Sequence, residues 1–422
     1  MRPKSQKNMQ TIIRHVQGSF ISALRSEAGS ILPMFALSLM VMFGTIAAAV
    51  DFGLAYSHRD KLQKSTDSAA LAAAILLDAT EAERKQRAAS VFNANYADVS
   101  SATFSLSVED NGSNQQKNVV ATATRQLRTH ILPLFGYSEL NLTTDVKVPI
   151  PRLLEAEVVL VLDYSDSMIA SQKYVRMRDA AIQLIDTISL KGANKRAKFG
   201  VVPFAAMVKA NLPTWAIRSD VSYTGCTQDR RSPYNGEETS PNGNNDAKWG
   251  EVTSGHNCSD MGAAKLDVVP LTTDAAGVKA KISAMQPYQW THIAAGTEIG
   301  WQVISPTGVF GGANPYNPDQ TIKVAIILTD GMQTAPGWGP DSTRSTAHAE
   351  NNLLTLCSGM KARQVKLYTI GYDLSDEHTK TLLGDCAGPG RFYDAIDIQS
   401  GVLSAFVDIG EKVRDQMVRL SQ

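Results

Sequence analysis

The chain has 422 residues, 43% of them hydrophobic and 19% charged, enough for two or three domains of about 150 residues and for a sizeable core without extra staples. Its 41 basic residues balance 41 acidic ones, and they form no stripe that could follow a phosphate backbone, so nucleic acid is not an expected partner. The composition excludes a disordered chain and a polytopic membrane protein, although one apolar stretch stands apart.

That stretch comes first. No charged residue occurs between Glu27 and Asp51, and ILPMFALSLMVMFGTIAAAV (31–50) is long enough as a helix to cross a hydrocarbon core of about 30 Å. Arg2, Lys4, Lys7, Arg14 and Arg25 precede it against one acid, Glu27, whereas 51–67 holds three acids and three bases. The positive-inside rule then keeps residues 1–29 in the cytoplasm and exports the chain beyond a transmembrane helix over 30–52. Ala47-Ala48-Ala49 also offers a signal-peptidase-like site. Anchoring is the favoured reading, because the helical pattern runs on through DFGLAYSHRDKLQKSTDSAALAAAILL with few breakers.

Beyond the helix the period changes to two. Phe104, Leu106 and Val108 alternate with polar residues, NVVATAT comes next, then Leu140, Leu142, Val146 and Val148, with a hairpin turn expected over Asn111–Gln116. A helix laid on a small antiparallel sheet makes 53–152 a pilin-like α+β module.

After Pro149 and Pro151, VVLVL (158–162) is an unbroken apolar run, as expected of a strand buried on both faces of a parallel sheet. It ends in Asp163, and a helix with apolar positions Met177, Ala181, Leu184, Ile185 and Ile188 comes after it. The rhythm repeats at FGVVPF, VAIIL and VKLYTIGY, alternating with helical stretches from Thr291, Ser345 and Leu403. The spacing predicts a doubly wound, Rossmann-like α/β domain over 153–422. Asp163 and Asp330 both fall at carboxyl ends of strands, where ligands bind in such sheets.

Residues 211–287 form a long insertion whose centre is nearly all turn-forming and polar, bracketed by Cys226 and Cys258. It reads as a disulfide-tied recognition loop or, equally, as a tolerated surface insertion. All four cysteines, Cys226, Cys258, Cys357 and Cys386, lie beyond the apolar stretch with no CxxC or Cys/His cluster. Disulfides are expected; of three connectivities the sequence-neighbour pairs are favoured.

DYSDS (163–167) resembles the DxSxS signature of the von Willebrand factor A domain, and ILTDG supplies that family's second Asp, Asp330. The resemblance implies a divalent-cation site in which Ser165, Ser167 and Thr291 bind directly and Asp163 and Asp330 bind directly or through water. Hydroxyls and carboxylates are hard ligands suited to Mg²⁺, with Mn²⁺ or Ca²⁺ as alternatives. In that family a partner's carboxylate completes the coordination. Two departures stand out: Asp166 replaces the customary glycine of the first motif, and Trp290 replaces the glycine before Thr291. Thr297, which does follow a glycine, is the rival third-loop ligand, and His292 is expected to face solvent beside the site. A phosphatase of the haloacid dehalogenase type is not expected, because Ser165 stands where its acid/base Asp belongs, and no GxSxG, HExxH or phosphate-loop pattern occurs.

RSEAGSILPMFALSL and VDFGLAYSHRDKLQKSTDSAALAAA, with VVPLTTD, THIAAGTEIGWQVISP, LCSGMKARQVKLYTIGY and LLGDCAGPGRFYDA further on, resemble the TadG-like proteins of the bacterial Tad system, which assembles Flp-type IVb pili. The resemblance implies a single-pass inner-membrane protein with its C-terminal domains in the periplasm. It also implies a pilus assembly component, which with the von Willebrand A resemblance would bind pilus or secretion partners through an acidic side chain; without the catalytic patterns above, an enzyme is not expected. The alternative is a minor pilin, or an adhesin anchored at the surface outside a dedicated assembly role. Counting from Ser30, the fifth position is Met34 where prepilin processing wants Glu, which weighs against the pilin.

Overall fold

The computed structural model describes residues 31–419, apart from 77–78, 97, 99–100, 111–116, 190–195 and 242. The basic segment expected over 1–29 and the hairpin turn expected at Asn111–Gln116 lie outside the described residues. The chain divides into two units, Met1–Ile150 and Pro151–Gln422.

In the first unit, α1 (Ile31–Ala74) is one helix of 44 residues. From Ile31 to Phe43 it exposes apolar side chains on all sides, Ile31 at 78%, Met40 at 68% and Phe43 at 62%. It is long and apolar enough to cross a membrane. Its second half instead buries a stripe, Leu62, Thr66, Ala69, Ala70 and Ala73, at the three- and four-residue spacing of one helical face. That face packs on the antiparallel sheet β1 (Ala102–Asp110), β2 (Lys117–Arg128) and β3 (Glu139–Pro149), with β2 in the middle. A Thr66–Thr144 hydroxyl contact of 3.2 Å lies inside. Small alanines let helix and sheet approach closely. A second helix, α2 (Glu81–Asn95), starts with a capping box in which the Glu83 amide donates to the Thr80 hydroxyl and the Thr80 amide donates to Glu83 Oε2. Its buried Arg84 donates to the Ala73 and Ala74 carbonyls at the end of α1, groups that a helix C-terminus leaves without partners.

In the second unit, the expected VVLVL strand is the core of β4 (Glu155–Asp163). Parallel to it run β5 (Ala197–Phe204) on one side and β7 (Thr321–Thr329) on the other, then β8 (Lys366–Tyr372) and β9 (Phe392–Ala395) beyond β7. Helices α3 (Lys173–Ile188), α4 (Ala275–Ala284) and α8 (Gly401–Met417) cover one face, where Val158, Leu160 and Leu162 point. Helices α5 (Ile293–Ile304), α6 (Thr346–Ala362) and α7 (Glu377–Ala387) cover the other, where Val159 and Val161 point. Burial on both sides explains the run without alternation. The chain passes from β4 to β5 and later returns to the opposite side of β4 as β7. Strand order therefore reverses between β4 and β7, and a crevice opens there at their carboxyl ends.

The insertion differs from the expectation of one long polar loop. Its last part is integral to the fold: β6 (Val269–Thr272) pairs antiparallel with β5, and α4 buries Val278 and Ile282. Its centre folds around charges turned inward. Arg230, 1% exposed, donates from Nε to Glu298 of α5 at 2.5 Å and lies 4.3 Å from the Trp249 ring. Burial pushes the Glu298 carboxyl up to about 7, against the pull of Arg230. Disulfides join Cys226 to Cys258 and Cys357 to Cys386, the sequence-neighbour pairing. Cys226 and Cys258 are both in the core.

Candidate functional site

Three loops meet at the crevice between β4 and β7. The register sets Leu162 opposite Leu328, so Asp163 ends β4 level with Thr329, the last residue of β7, and Asp330 follows one residue beyond. Asp163 is fully buried and accepts from the Ser165 amide at 2.8 Å and from the Thr329 hydroxyl at 2.6 Å. The Ser165 and Ser167 hydroxyls lie 2.9 Å apart, and the Ser167 hydroxyl donates to Asp330 Oδ1 at 2.6 Å. A methyl group placed on Gly331 would lie 3.6 Å from Ser167 Oγ and 3.9 Å from Thr291 Oγ1, which puts the Thr291 hydroxyl at the same mouth. The five sequence-expected residues thus come together on three loops. Thr297 does not share that position: it lies in the body of α5, 1% exposed.

Asp166, the departure from the family's glycine, ties two of the loops. Its amide donates to the Gln289 carbonyl at 2.8 Å, and its carboxylate accepts from the Gln289 amide at 2.9 Å. The first and third loops are clipped together by this exchange.

His292 is a correction. Expected to face solvent, it is fully buried. It precedes α5, and its Nδ1 accepts from the Ala295 amide at 3.3 Å and from Gln333 Nε2 at 3.1 Å. Two donors on Nδ1 assign the proton to Nε2, which stands 3.4 Å from the buried Asp229 Oδ1. Asp229 comes from the insertion and also accepts from the Trp338 amide at 2.7 Å. The insertion therefore braces the loop that carries Thr291 from behind.

The sequence reading also missed Lys173, the first residue of α3. Its ammonium, 7% exposed, stands against Asp330 Oδ2 and lies 3.6 Å from Asp373 Oδ2. A cation in the first turn of a helix opposes the helix dipole. That misfit was the available signal that Lys173 answers to nearby acids.

Electrostatics here favour a positive charge. Burial, and then the neighbouring Asp330 carboxylate, push the Asp163 carboxyl up to about 7. Among the described residues, no group of three or more His, Cys, Asp or Glu side chains gathers in a metal-holding arrangement; the donor set is two carboxylates and three hydroxyls. Those are all hard oxygens, which suit a small divalent cation that retains water. Around the mouth three large apolar side chains are exposed, one per loop: Ile169 at 55%, Trp290 at 55% and Met332 at 53%.

Residues 29–79 match the Tad family, the TadE/G-like segment of Flp pilus assembly. No curated protein matches this sequence. Among solved structures, the pilus adhesin SpaC of Lactobacillus rhamnosus GG aligns with 74% of this chain at 11% identity and a TM-score of 0.39; the chain spans only 34% of that structure. The vWF domain of the type V pili tip protein Mfa5 from Porphyromonas gingivalis aligns with 64% of this chain and 98% of its own length, at 13% identity and a TM-score of 0.41. The adhesive tip pilin GBS104 of Group B Streptococcus agalactiae aligns with 61% of this chain and all of its own length, at 12% identity and a TM-score of 0.34.

Proposed function

We propose that this chain, whose residues 29–79 are a TadE/G-like Tad segment, is a membrane-anchored component of Tad/Flp pilus assembly. It would face the periplasm and bind a partner protein through a von Willebrand A-like, metal-dependent site. The observation that carries this reading is the meeting of Asp163, Ser165, Ser167, Thr291 and Asp330 at the strand-order switch.

The donor chemistry suits Mg²⁺. Ser165, Ser167 and Thr291 are neutral, so a bound ion would keep most of its charge where Asp163 and Asp330 reach it through water and would lose it where both bind directly. A bound ion supplies an electrophilic position that an external Asp or Glu can fill. The chain's own residues set the conditions: Asp166 and Gln289 hold two loops in register, His292 and Asp229 brace the third, and Ile169, Trp290 and Met332 offer apolar contact around the carboxylate. We read the set as a binding module: the Ser167–Asp330 contact is taken as two hard donors of one cation site, and the reading assigns them no turnover.

The apolar half of α1 supports a single-pass anchor. The test is capture of pilus-system proteins from membranes by the wild-type chain and by Asp163→Asn, each in Mg²⁺ and in chelator. Capture by the wild type in Mg²⁺ alone supports the reading; equal capture in all four conditions removes it.

A further inference from the structure

If α1 spans the membrane, the premise on which the inference rests, the boundary of the hydrocarbon falls at Asp51, the first charge after residue 27. Asp51 is 2% exposed. Its carboxylate accepts three backbone N–H groups: His130 at 3.0 Å, Ile131 at 2.9 Å and Leu132 at 2.8 Å. A carboxylate with three amide donors is a strong, directional clamp. It fixes the turn between β2 and β3 at the level where α1 leaves the apolar phase. The 3₁₀ turn Leu132–Phe135 packs on α1 there. One helical turn earlier, Ala47 is buried while Phe43, Ile46 and Val50 remain exposed, so the helix is covered on one side even inside its apolar half.

That turn carries side chains that water does not favour. Leu134 is 83% exposed and Tyr137 is 65% exposed. On its β2 side, Arg128 and His130 hold side chains 91% and 73% exposed. An apolar tip, a tyrosine and a flanking arginine, 4.0 Å from Glu139, held at the end of a membrane span match the chemistry of the headgroup layer: apolar groups enter the acyl boundary, tyrosine sits at the interface, and arginine meets anionic lipids.

We propose that the turn at 131–137 is a second membrane contact, seated in the headgroup layer of the bilayer that α1 crosses. It would fix the pilin-like module against the bilayer, where the span alone would leave it free to swivel.

All four native cysteines are in disulfides, so single introduced cysteines can carry a fluorophore. The full chain is reconstituted in phosphatidylethanolamine–phosphatidylglycerol vesicles whose acyl chains are brominated, with an NBD label at Phe43→Cys, Leu134→Cys or Ser107→Cys. Ser107 is exposed on β1 and pairs with Val120, toward the far end of β2 from Arg128. The expected result is at least twofold quenching at 43 and 134 and none at 107. Quenching at 43 without quenching at 134 overturns the membrane turn and leaves the span intact. Absence of quenching at 43 removes the span and the turn together, and quenching at all three positions means that the module lies flat on the bilayer, which also overturns the proposal.

Discussion

The Lys173 ammonium stands against the Asp330 carboxylate at the mouth of the site, both side chains almost wholly shielded from water. An internal cation thus holds one of the two acids that a divalent ion would use. A divalent ion would have to share Asp330 with Lys173 or displace it, so affinity for metal and stability without metal are coupled through one side chain.

Lys173→Met tests that coupling. Removing one member of a buried ion pair costs about 3–5 kcal/mol because the partner charge is left uncompensated. In chelator the variant should unfold several degrees below the wild type. In Mg²⁺ much of that difference should vanish, and calorimetric titration should show tighter ion binding. Equal melting in both conditions, with unchanged affinity, would show that Lys173 and the ion do not compete.

Asp166→Gly restores the glycine of the von Willebrand A signature and deletes the carboxylate half of the clip to Gln289, leaving the backbone amide bond. The lost carboxylate–amide bond contributes about 1–2 kcal/mol, and the added glycine loosens the loop further. Ion binding measured by titration should weaken about tenfold while the melting temperature falls only slightly. Tighter ion binding would mean that Asp166 crowds the site and does not organise it.

Trp290→Ala and Met332→Ala probe the apolar ring. Both side chains are more than half exposed, so truncation should leave stability within about 0.5 kcal/mol. Partner capture should drop about tenfold or more for Trp290, since a buried aromatic anchor at an interface centre is often worth about 2 kcal/mol. Ion affinity should stay constant, which separates the ring from the metal.

The two disulfides close loops of similar length, with sequence separations of 32 and 29. Chain entropy assigns each about 3–4 kcal/mol. Because Cys226 and Cys258 are core residues and do not merely fasten a surface insertion, Cys226→Ala/Cys258→Ala and Cys357→Ala/Cys386→Ala should lower the unfolding free energy by comparable amounts in denaturant titration. A negligible loss for the first pair would return the insertion to the status of a surface appendage.

The range of each interaction decides whether the sequence shows it or hides it. The unbroken run Val158–Leu162 announces a doubly buried strand by itself, and Asp163 and Asp330 are placed by their positions after such runs. Thr291 comes from the family resemblance, and only its preference over Thr297 draws on the expectation of a loop before a helix. Lys173, by contrast, finds Asp330 across 157 residues of chain, and His292 finds Asp229 across 63. Neither pairing has a local signature, and His292 reads as a solvated neighbour because nothing near it in the chain hints at a buried acid. The insertion is misjudged for the same reason. Its charges satisfy one another and Glu298 inward, whereas composition alone reads them as surface.

If partner binding runs through a cation held at the mouth of the β4–β7 crevice, it must depend both on the ion and on Asp163. The deciding experiment is capture of membrane-extracted partner by wild type and Asp163→Asn, each in Mg²⁺ and in chelator, with the fold of both checked by circular dichroism. Asp163 is buried at the strand end; asparagine keeps an oxygen for the Ser165 amide and turns its NH2 toward the Thr329 hydroxyl, which can donate to the Gly331 carbonyl instead, so the variant should remain folded. The expected outcome is capture by the wild type in Mg²⁺ and a loss of at least tenfold in the other three conditions. Undiminished capture by folded Asp163→Asn, or by the wild type in chelator, would contradict a cation-mediated contact.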